Sequence, residues 1–235
     1  MEKEIKKVEK IYEDENILVL NKPSGLVVNR SNTSVGETLQ DILERDYIPN
    51  IKDETDEQYT SRSGLVHRLD KDTSGVIVVA KNVESFYFLQ KQFKERNVIK
   101  EYIALVRGKV EENEMEIDAP LARNPNSPLK HAVVSSGKPA ITKIEKIKEI
   151  KVGENYYTLL KVMPKTGRTH QIRVHLSAIG HSIVGDIIYC AKNLLEIDSN
   201  AFTRLMLHAR TLGFLNPKTL KFQRFEAPLP NDFQL

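Results

Sequence analysis

Residues 76 to 80 (VIVVA) constrain this chain more than any other segment. Five consecutive apolar residues without polar alternation need cover on both faces, so they read as a fully buried strand. Immediately before them lies the charged stretch His67-Arg68-Leu69-Asp70-Lys71-Asp72-Thr73-Ser74-Gly75, itself preceded by a shorter apolar segment. A charged turn is therefore mounted at the end of a buried strand, a common location for reactive groups.

The other elements follow from periodicity and punctuation. Runs around VEKIY and ILVLNK predict an opening hairpin that Pro-Ser-Gly at 23 to 25 ends. Residues 37 to 45 place Leu39, Ile42 and Leu43 on one helical face, and 46 to 63 read as a polar loop. Asn82 is positioned to cap a helix reaching about Arg96, with Phe86, Leu89 and Phe93 on one side and Lys94 and Arg96 suiting its C-terminal end. Residues 99 to 107 and 156 to 163 read as strands. A helix from about Thr169 to Ile179 stops at Gly180. MLHARTLGFL and LKFQRFEAP, separated by NPKT, predict a closing hairpin. In ITKIEKIKEI the isoleucines at 141, 144, 147 and 150 recur every three residues, which by spacing alone suits a helix. Strands and helices interleave without a βαβ rhythm. The expectation is an α+β fold with a mixed or antiparallel sheet, in a single domain over residues 1 to 235, with 1 to 7 as a flexible tail.

Charge and cysteine usage narrow the function classes. The single Cys190 has no intrachain partner, the N-terminus MEKEIKKVEK is too charged for a signal peptide, and no apolar run reaches membrane-spanning length. These features predict a soluble cytoplasmic protein. Net charge is only +3, but Asp and Glu are missing from Asn155 to Gly185, where Lys161, Lys165, Arg168, Arg173, His170, His175 and His181 fall. Such a stretch forms either a phosphate-holding surface or an ordinary solvated face.

Two clusters carry chemistry. Asp70 stands where an apolar run stops and could project into a cleft, although Asp, Thr, Ser and Gly also suit a plain turn. In Lys165-Thr166-Gly167-Arg168-Thr169-His170-Gln171-Ile172-Arg173-Val174-His175, Ile172, Leu176 and Ile179 share a helical face, and Thr169 and Arg173 share another. An arginine at the edge of a buried face can hold a carboxylate ionised; an ordinary basic surface helix fits equally. His170 and His175 are five apart, not the i, i+4 pair of helical zinc sites. Asp70 and Asp72 are interrupted by Lys71, so no metal site is expected. Phosphate-loop, dinucleotide and serine-elbow patterns are missing.

HRLDKDTSG resembles the catalytic signature of the RluA/RluD-type family of RNA pseudouridine synthases. NKPSGLVV at 21 to 28 is similar to the family's opening motif, and Lys100-Glu101-Tyr102-Ile103-Ala104 to its tyrosine motif. KTGRTHQIRVHLSAIGHSIVGD resembles its third motif. Leu207-His208-Ala209 and the closing APLP also fit, so the likeness spans almost the whole chain in order. It implies a pseudouridine synthase-like fold, a mixed and mostly antiparallel sheet with flanking helices, and a strand rather than a helix at 141 to 150.

The same resemblance implies that Asp70 is the essential carboxylate, that Tyr102 stacks on the target base, and that Arg173 pairs with Asp70. Arg68 would hold the displaced strand or the space left by the base, and Leu176 would line the pocket. The basic residues Lys165, Arg168 and His170 would contact substrate RNA, transfer or ribosomal. No cofactor and no metal are implied, because isomerisation of uridine neither oxidises nor loses a group. Asn29-Arg30 stands where members often have His-Pro, a departure expected to alter a loop. The opening motif begins near residue 21, leaving no room for the separate N-terminal RNA-binding domain that many members carry. A monomer without membrane contact is expected. Two rivals are a non-catalytic RNA-binding or chaperone protein on the same scaffold, and a metal-dependent nuclease or transferase using Asp70 and Asp72.

Overall fold

A computed structural model describes residues 8 to 31, 36 to 125, 127, 130 to 199 and 201 to 233. The expected tail at 1 to 7 lies outside the described residues. In chain order the elements are β1 (Glu9–Glu13), β2 (Ile17–Lys22), α1 (Leu39–Asp46), α2 (Glu57–Ser61), β3 (Ser74–Ala80), α3 (Val83–Glu95) and β4 (Ile99–Arg107). They continue as β5 (Glu114–Asp118), β6 (Leu121–Arg123), β7 (His131–Val133), β8 (Ile141–Val152), β9 (Asn155–Pro164), α4 (Gln171–Ala178), α5 (Lys192–Asp198), β10 (Leu207–Leu215) and β11 (Phe222–Glu226). This is an α+β chain with mostly antiparallel pairing, as the sequence predicts. No helix among the described residues is long and apolar enough to cross a membrane.

The chain packs as two compact units. The first comprises residues 1 to 99 and 209 to 228, the second 100 to 208 and 229 to 235. No Gly-, Ser- or Pro-rich linker announces the changes of unit.

In the first unit the strand order is β1-β2-β3-β10, with β11 pairing β10. Every residue of β3 is buried, so the unbroken apolar run reports two-sided cover as expected. Asn82 caps α3 by accepting from the Ser85 amide at 2.9 Å. Phe86 and Leu89 are buried beneath it. Gln92 of the same helix then works as an extra strand residue. Its Nε2 donates to the Leu215 carbonyl at 3.0 Å, and its Oε1 accepts from the Leu215 amide at 2.8 Å. The turn NPKT is held by Asn216, whose Oδ1 accepts from the Lys218 and Thr219 amides.

Residues 46 to 63 are more ordered than the expected loop. Pro49–Asp53 forms a 3₁₀ turn started by proline, and Asp56 caps α2 through the Tyr59 amide at 2.8 Å. Tyr59 and Ile51 are buried there. One apolar anchor per short turn is too little periodicity to read from sequence.

In the second unit the order is β4-β9-β8-β5, with β6 and β7 forming a separate two-stranded sheet. Beside β4, the Val184 amide donates to the Leu105 carbonyl and the Leu105 amide to Met206. The core gathers Ala104, Leu160, Val162, Ile172, Leu176, Ile183 and Met206, among others. The isoleucine segment is a strand, as the resemblance implies, and its isoleucines do not share one face. The β8–β9 register shifts between Lys146 and Lys148, so Ile147 is the extra residue of a bulge. Ile144 lies opposite Val162 and is buried, while Ile150 lies opposite Tyr157, on the other face of the sheet from Ile144. Ile147 itself is half exposed.

Gly75 ends the charged turn and begins the buried run. Its φ is +118°, and a Cβ there would stand 2.2 Å from the Ala209 carbonyl oxygen. No side chain fits that approach of β3 to β10. Gly75→Ala is expected to cost more than about 1 kcal/mol in urea denaturation; a variant as stable as the parent would contradict the crowding.

Candidate active site

The β2–β3 register sets the first half of the site. Lys22 is paired with Gly75, so the turns that follow β2 and precede β3 emerge at the same end of the sheet. Lys22 has no solvent exposure, and its Nζ donates to the carbonyls of Pro23, Leu26 and Lys71, each at 2.9 Å. An ammonium has three N–H donors, and these three carbonyls match them. The Gly25 amide donates to Lys71 O at 2.8 Å and Ser24 Oγ to Asp72 O at 2.7 Å. The NKPSG turn therefore clamps the backbone at the two residues after Asp70.

On the other flank, His67 Nε2 accepts from the Val78 amide at 3.0 Å, which places the ring proton of the neutral form on Nδ1. The His67 ring stacks on Phe93 at 4.6 Å between centroids. Phe93, read from periodicity as a core residue of α3, thus supports the motif. Leu69 is buried, Asp70 partly buried and Arg68 exposed. Asp70 O accepts from the Thr73 amide at 3.2 Å, which closes the turn.

The second unit holds Tyr102 and Arg173. Tyr102, on β4 opposite Val162, is partly buried and packs against the core. Two residues before it, Lys100 Nζ donates to Thr166 O at 3.2 Å, so β4 reaches the loop between β9 and α4. A buried polar chain shapes that loop. Gln171 Oε1 accepts from Thr166 Oγ1 at 2.7 Å and from the Arg168 amide at 3.0 Å. Its Nε2 donates to Ile141 O and Thr142 Oγ1. His175 Nδ1 lies 2.9 Å from Thr142 Oγ1, and Nε2 is 2.9 Å from Ala119 O. Because a carbonyl only accepts, Nε2 donates and Nδ1 takes the Thr142 hydroxyl proton.

Arg173 is 4% exposed and Asp186 1%. Nε and Nη2 of Arg173 donate to the two Asp186 oxygens, each at 2.8 Å. Asp186 Oδ1 also accepts from the amides of Ile188 and Tyr189. The Tyr189 ring packs against the guanidinium, 5.2 Å from Cζ to centroid. His170 Nδ1 is 2.9 Å from the Tyr189 hydroxyl, which also accepts from the His131 amide at 2.9 Å.

Several expected roles change in this light. Leu176, expected to line the pocket, has no solvent exposure and belongs to the core. The acid-free run from 155 to 185 is not free of acids in space. Lys161 is paired with Glu101 and Glu145, Lys165 with Glu116 at 2.7 Å, and Arg173 with Asp186. Arg168 Nε donates to Pro139 O at 3.2 Å. The exposed pair of Lys165 contributes at most about 1 kcal/mol and can be exchanged for a phosphate. Among the described residues no cluster of three or more His, Cys, Asp or Glu suits a metal ion. Sequence reasoning missed Lys22, His67, Asp186 and Tyr189. A signal for Asp186 existed, since it is the first acid after the acid-free run.

The model of the family described as RNA pseudouridylate synthase matches residues 16 to 178, a span that contains Asp70, Tyr102 and Arg173. The chain belongs to the RNA pseudouridylate synthase family. It is 38% identical over 225 residues to a ribosomal large subunit pseudouridine synthase D of Nitrosomonas europaea, covering 94% of this chain and 62% of that protein. An RNA pseudouridine synthase of Aquifex aeolicus, whose own function is uncharacterised, is 41% identical, covering 95% and 70%. A solved structure, human RNA pseudouridylate synthase domain containing 1, superposes with a TM-score of 0.77 at 28% identity, covering 98% of this chain and 86% of that one. The chain thus spans less than two thirds of the Nitrosomonas protein.

Two expected outcomes follow. Lys22→Met leaves three buried carbonyls without their donor and should cost at least about 2 kcal/mol in urea denaturation; an unchanged midpoint would remove the clamp from the account. Burial lowers the pKa of His175, so the native state disfavours its protonation. An unfolded histidine titrates near about 6.5. The stability contributed by neutral His175 is therefore full above that pH and is lost as pH falls toward the depressed native value. His175→Gln should show a shallower loss of unfolding free energy between pH 7 and pH 5 than the parent; equal slopes would contradict the assignment.

Proposed function

We propose that this chain isomerises specific uridines to pseudouridine in structured RNA, with Asp70 as the carboxylate that starts the reaction. One observation carries the reading: the family match encloses, in order, the motifs of Asp70, Tyr102 and Arg173. The net reaction breaks the N-glycosidic bond of uridine and reconnects the ribose to uracil C5. The C5 proton leaves and N1 gains one, so no oxidant, reductant or nucleotide is consumed. Attack on the anomeric carbon, addition to the ring and removal of a sugar proton all begin from an ionised carboxylate.

In this reading Asp70 starts the reaction, Tyr102 floors the base and Arg173 supplies cationic N–H donors. Arg68, exposed two residues before Asp70, and the basic group Lys165, Arg168 and His170 contact the RNA, offsetting the few kcal/mol that everting a stacked base costs. The enzyme acts as a monomer without metal or organic cofactor. The lone cysteine supports the cytoplasm as its compartment. The Nitrosomonas relative's name puts ribosomal large-subunit RNA first among the RNAs to test, ahead of transfer RNA.

Asp70→Asn should keep the parent's melting temperature and RNA affinity. It should slow pseudouridine formation at least about a thousand-fold, roughly 4 kcal/mol of transition-state stabilisation. Pseudouridine mapping on ribosomal and transfer RNA with purified parent and variant reads this directly. A variant retaining substantial turnover would remove Asp70 from the chemistry.

A further inference from the structure

The strand and the helix that carry Tyr102 and Arg173 build a second concavity at their other ends. β4 runs from Tyr102, opposite Val162, to Arg107, opposite Tyr157. Five residues of strand at roughly 3.3 Å each put those two ends about 17 Å apart. α4 begins at Gln171, and the residues that follow it return to the Arg107 end of β4, where His181 Nδ1 donates to the Arg107 carbonyl at 2.9 Å. Gly108, Lys109, Tyr156, Gly180 and His181 are among the residues that line an open cleft of about 410 Å³ there. Gly108 and Gly180 are both left-handed, at φ +79° and +87°, so their part of the lining carries no side chain.

Tyr156 is 41% exposed, although the next residue of β9, Tyr157, is buried. Lys109 Nζ stands 4.2 Å from the centroid of the Tyr156 ring, and Lys151 Nζ 5.6 Å. Arg107 adds no free charge, because its guanidinium is taken by Asp198 and the Leu194 carbonyl. The lysines are differently placed. Lys109 makes no ion pair among the described residues, and Lys151 has only the exposed Glu154, 4.0 Å away, a pair that a phosphate can displace. An exposed ring beside two ammonium groups is what single-stranded nucleic acid requires, a face for one base and cations for the phosphates on either side. The ammonium groups ride on flexible stems and can pass from the ring to a phosphate as a base takes their place. Apart from the ring the lining is glycine, lysine, arginine, histidine, Glu154 and Asn155, too polar for an apolar protein segment. We propose that this cleft is an RNA-anchoring subsite. It stacks one unpaired base on Tyr156 and holds the adjoining phosphates with Lys109 and Lys151, apart from the place where Tyr102 floors the target base. At about 3.4 Å per stacked nucleotide, the length of β4 between the two corresponds to roughly five nucleotides. The inference rests on the reading of RNA as substrate given above.

Binding of a fluorescently labelled dodecauridylate tests it, with Kd followed over a range of salt for the parent, Tyr156→Leu, Tyr156→Phe and Lys109→Gln. Tyr156→Leu should weaken binding about fivefold to thirtyfold, and Tyr156→Phe, which keeps the ring, should stay within about twofold of the parent. Lys109→Gln should reduce the slope of log Kd against log salt by about 0.7. The same oligonucleotide carrying 5-iodouridine, irradiated in the complex and mapped by mass spectrometry, should crosslink to the peptide that contains Tyr156. A Tyr156→Leu affinity within about twofold of the parent overturns the proposal. So does a loss in Lys109→Gln without one in Tyr156→Leu, which would mean phosphate attraction with no stacked base. A parent that does not bind dodecauridylate overturns it too and leaves the cleft to a protein partner. Should Tyr156→Leu lower the melting temperature, recovery of affinity in Tyr156→Phe and the position of the crosslink still decide the matter. Pseudouridine mapping on ribosomal and transfer RNA runs beside these. If the parent forms none while Tyr156→Leu loses dodecauridylate, the catalytic reading has failed and the anchor stands. If the parent turns over and Tyr156→Leu binds as the parent does, only the anchor has failed.

Discussion

The second unit is organised around a charge that water cannot reach. A guanidinium at Arg173 with 4% exposure needs partners in place of water, and Asp186, the amides it gathers and the Tyr189 ring are among them. That requirement spreads outward. It fixes the turn after Gly185, orients Tyr189, and through the tyrosine hydroxyl fixes His170 at the entry to α4. The polar chain from Thr166 through Gln171 and Thr142 to His175 holds the other side of the same helix to β8. Replacing such networks by apolar packing is often no less stable. What apolar packing cannot supply is a defined direction for a polar group, and direction is what a reacting site needs.

The first unit uses the same device with a different cation. Lys22 could have been an apolar residue at the end of a buried strand. Instead its ammonium draws together the carbonyls of Pro23, Leu26 and Lys71, tying the opening turn to the turn that carries Asp70. His67, held by the Val78 amide and Phe93, secures the opposite flank. In both units buried polar contacts make irregular backbone rigid, the turn that carries Asp70 in one and the loop that leads into α4 in the other, while the strands supply the frame.

Two segments show how far periodicity carries. Over β3 it was sufficient, because a strand covered on both faces has only one simple sequence solution. Over β8 the three-residue spacing pointed to a helix, yet its isoleucines fall on both faces of a strand, Ile144 opposite Val162 and Ile150 opposite Tyr157, with Ile147 in a bulge between them. The short turns around Ile51 and Tyr59 were illegible for a related reason: each is held by a single buried side chain and a local cap, too few residues to make a period.

From residue order alone came the hairpins, the capped helix α3, the α+β class and the ordered motifs that mark Asp70, Tyr102 and Arg173, since these depend on local pattern and on neighbours a few positions apart. The partners of the charges depended on folding. Nothing within the basic run from 155 to 185 indicates that β4, β5 and β8 bring Glu101, Glu116 and Glu145 to its lysines, or that its arginine is neutralised from the far side of a turn. Strand pairing and burial set distances between residues remote in the chain. Electrostatics depends on those distances and on access to water, and so only the tertiary structure could decide which charges are spent on each other and which remain for RNA.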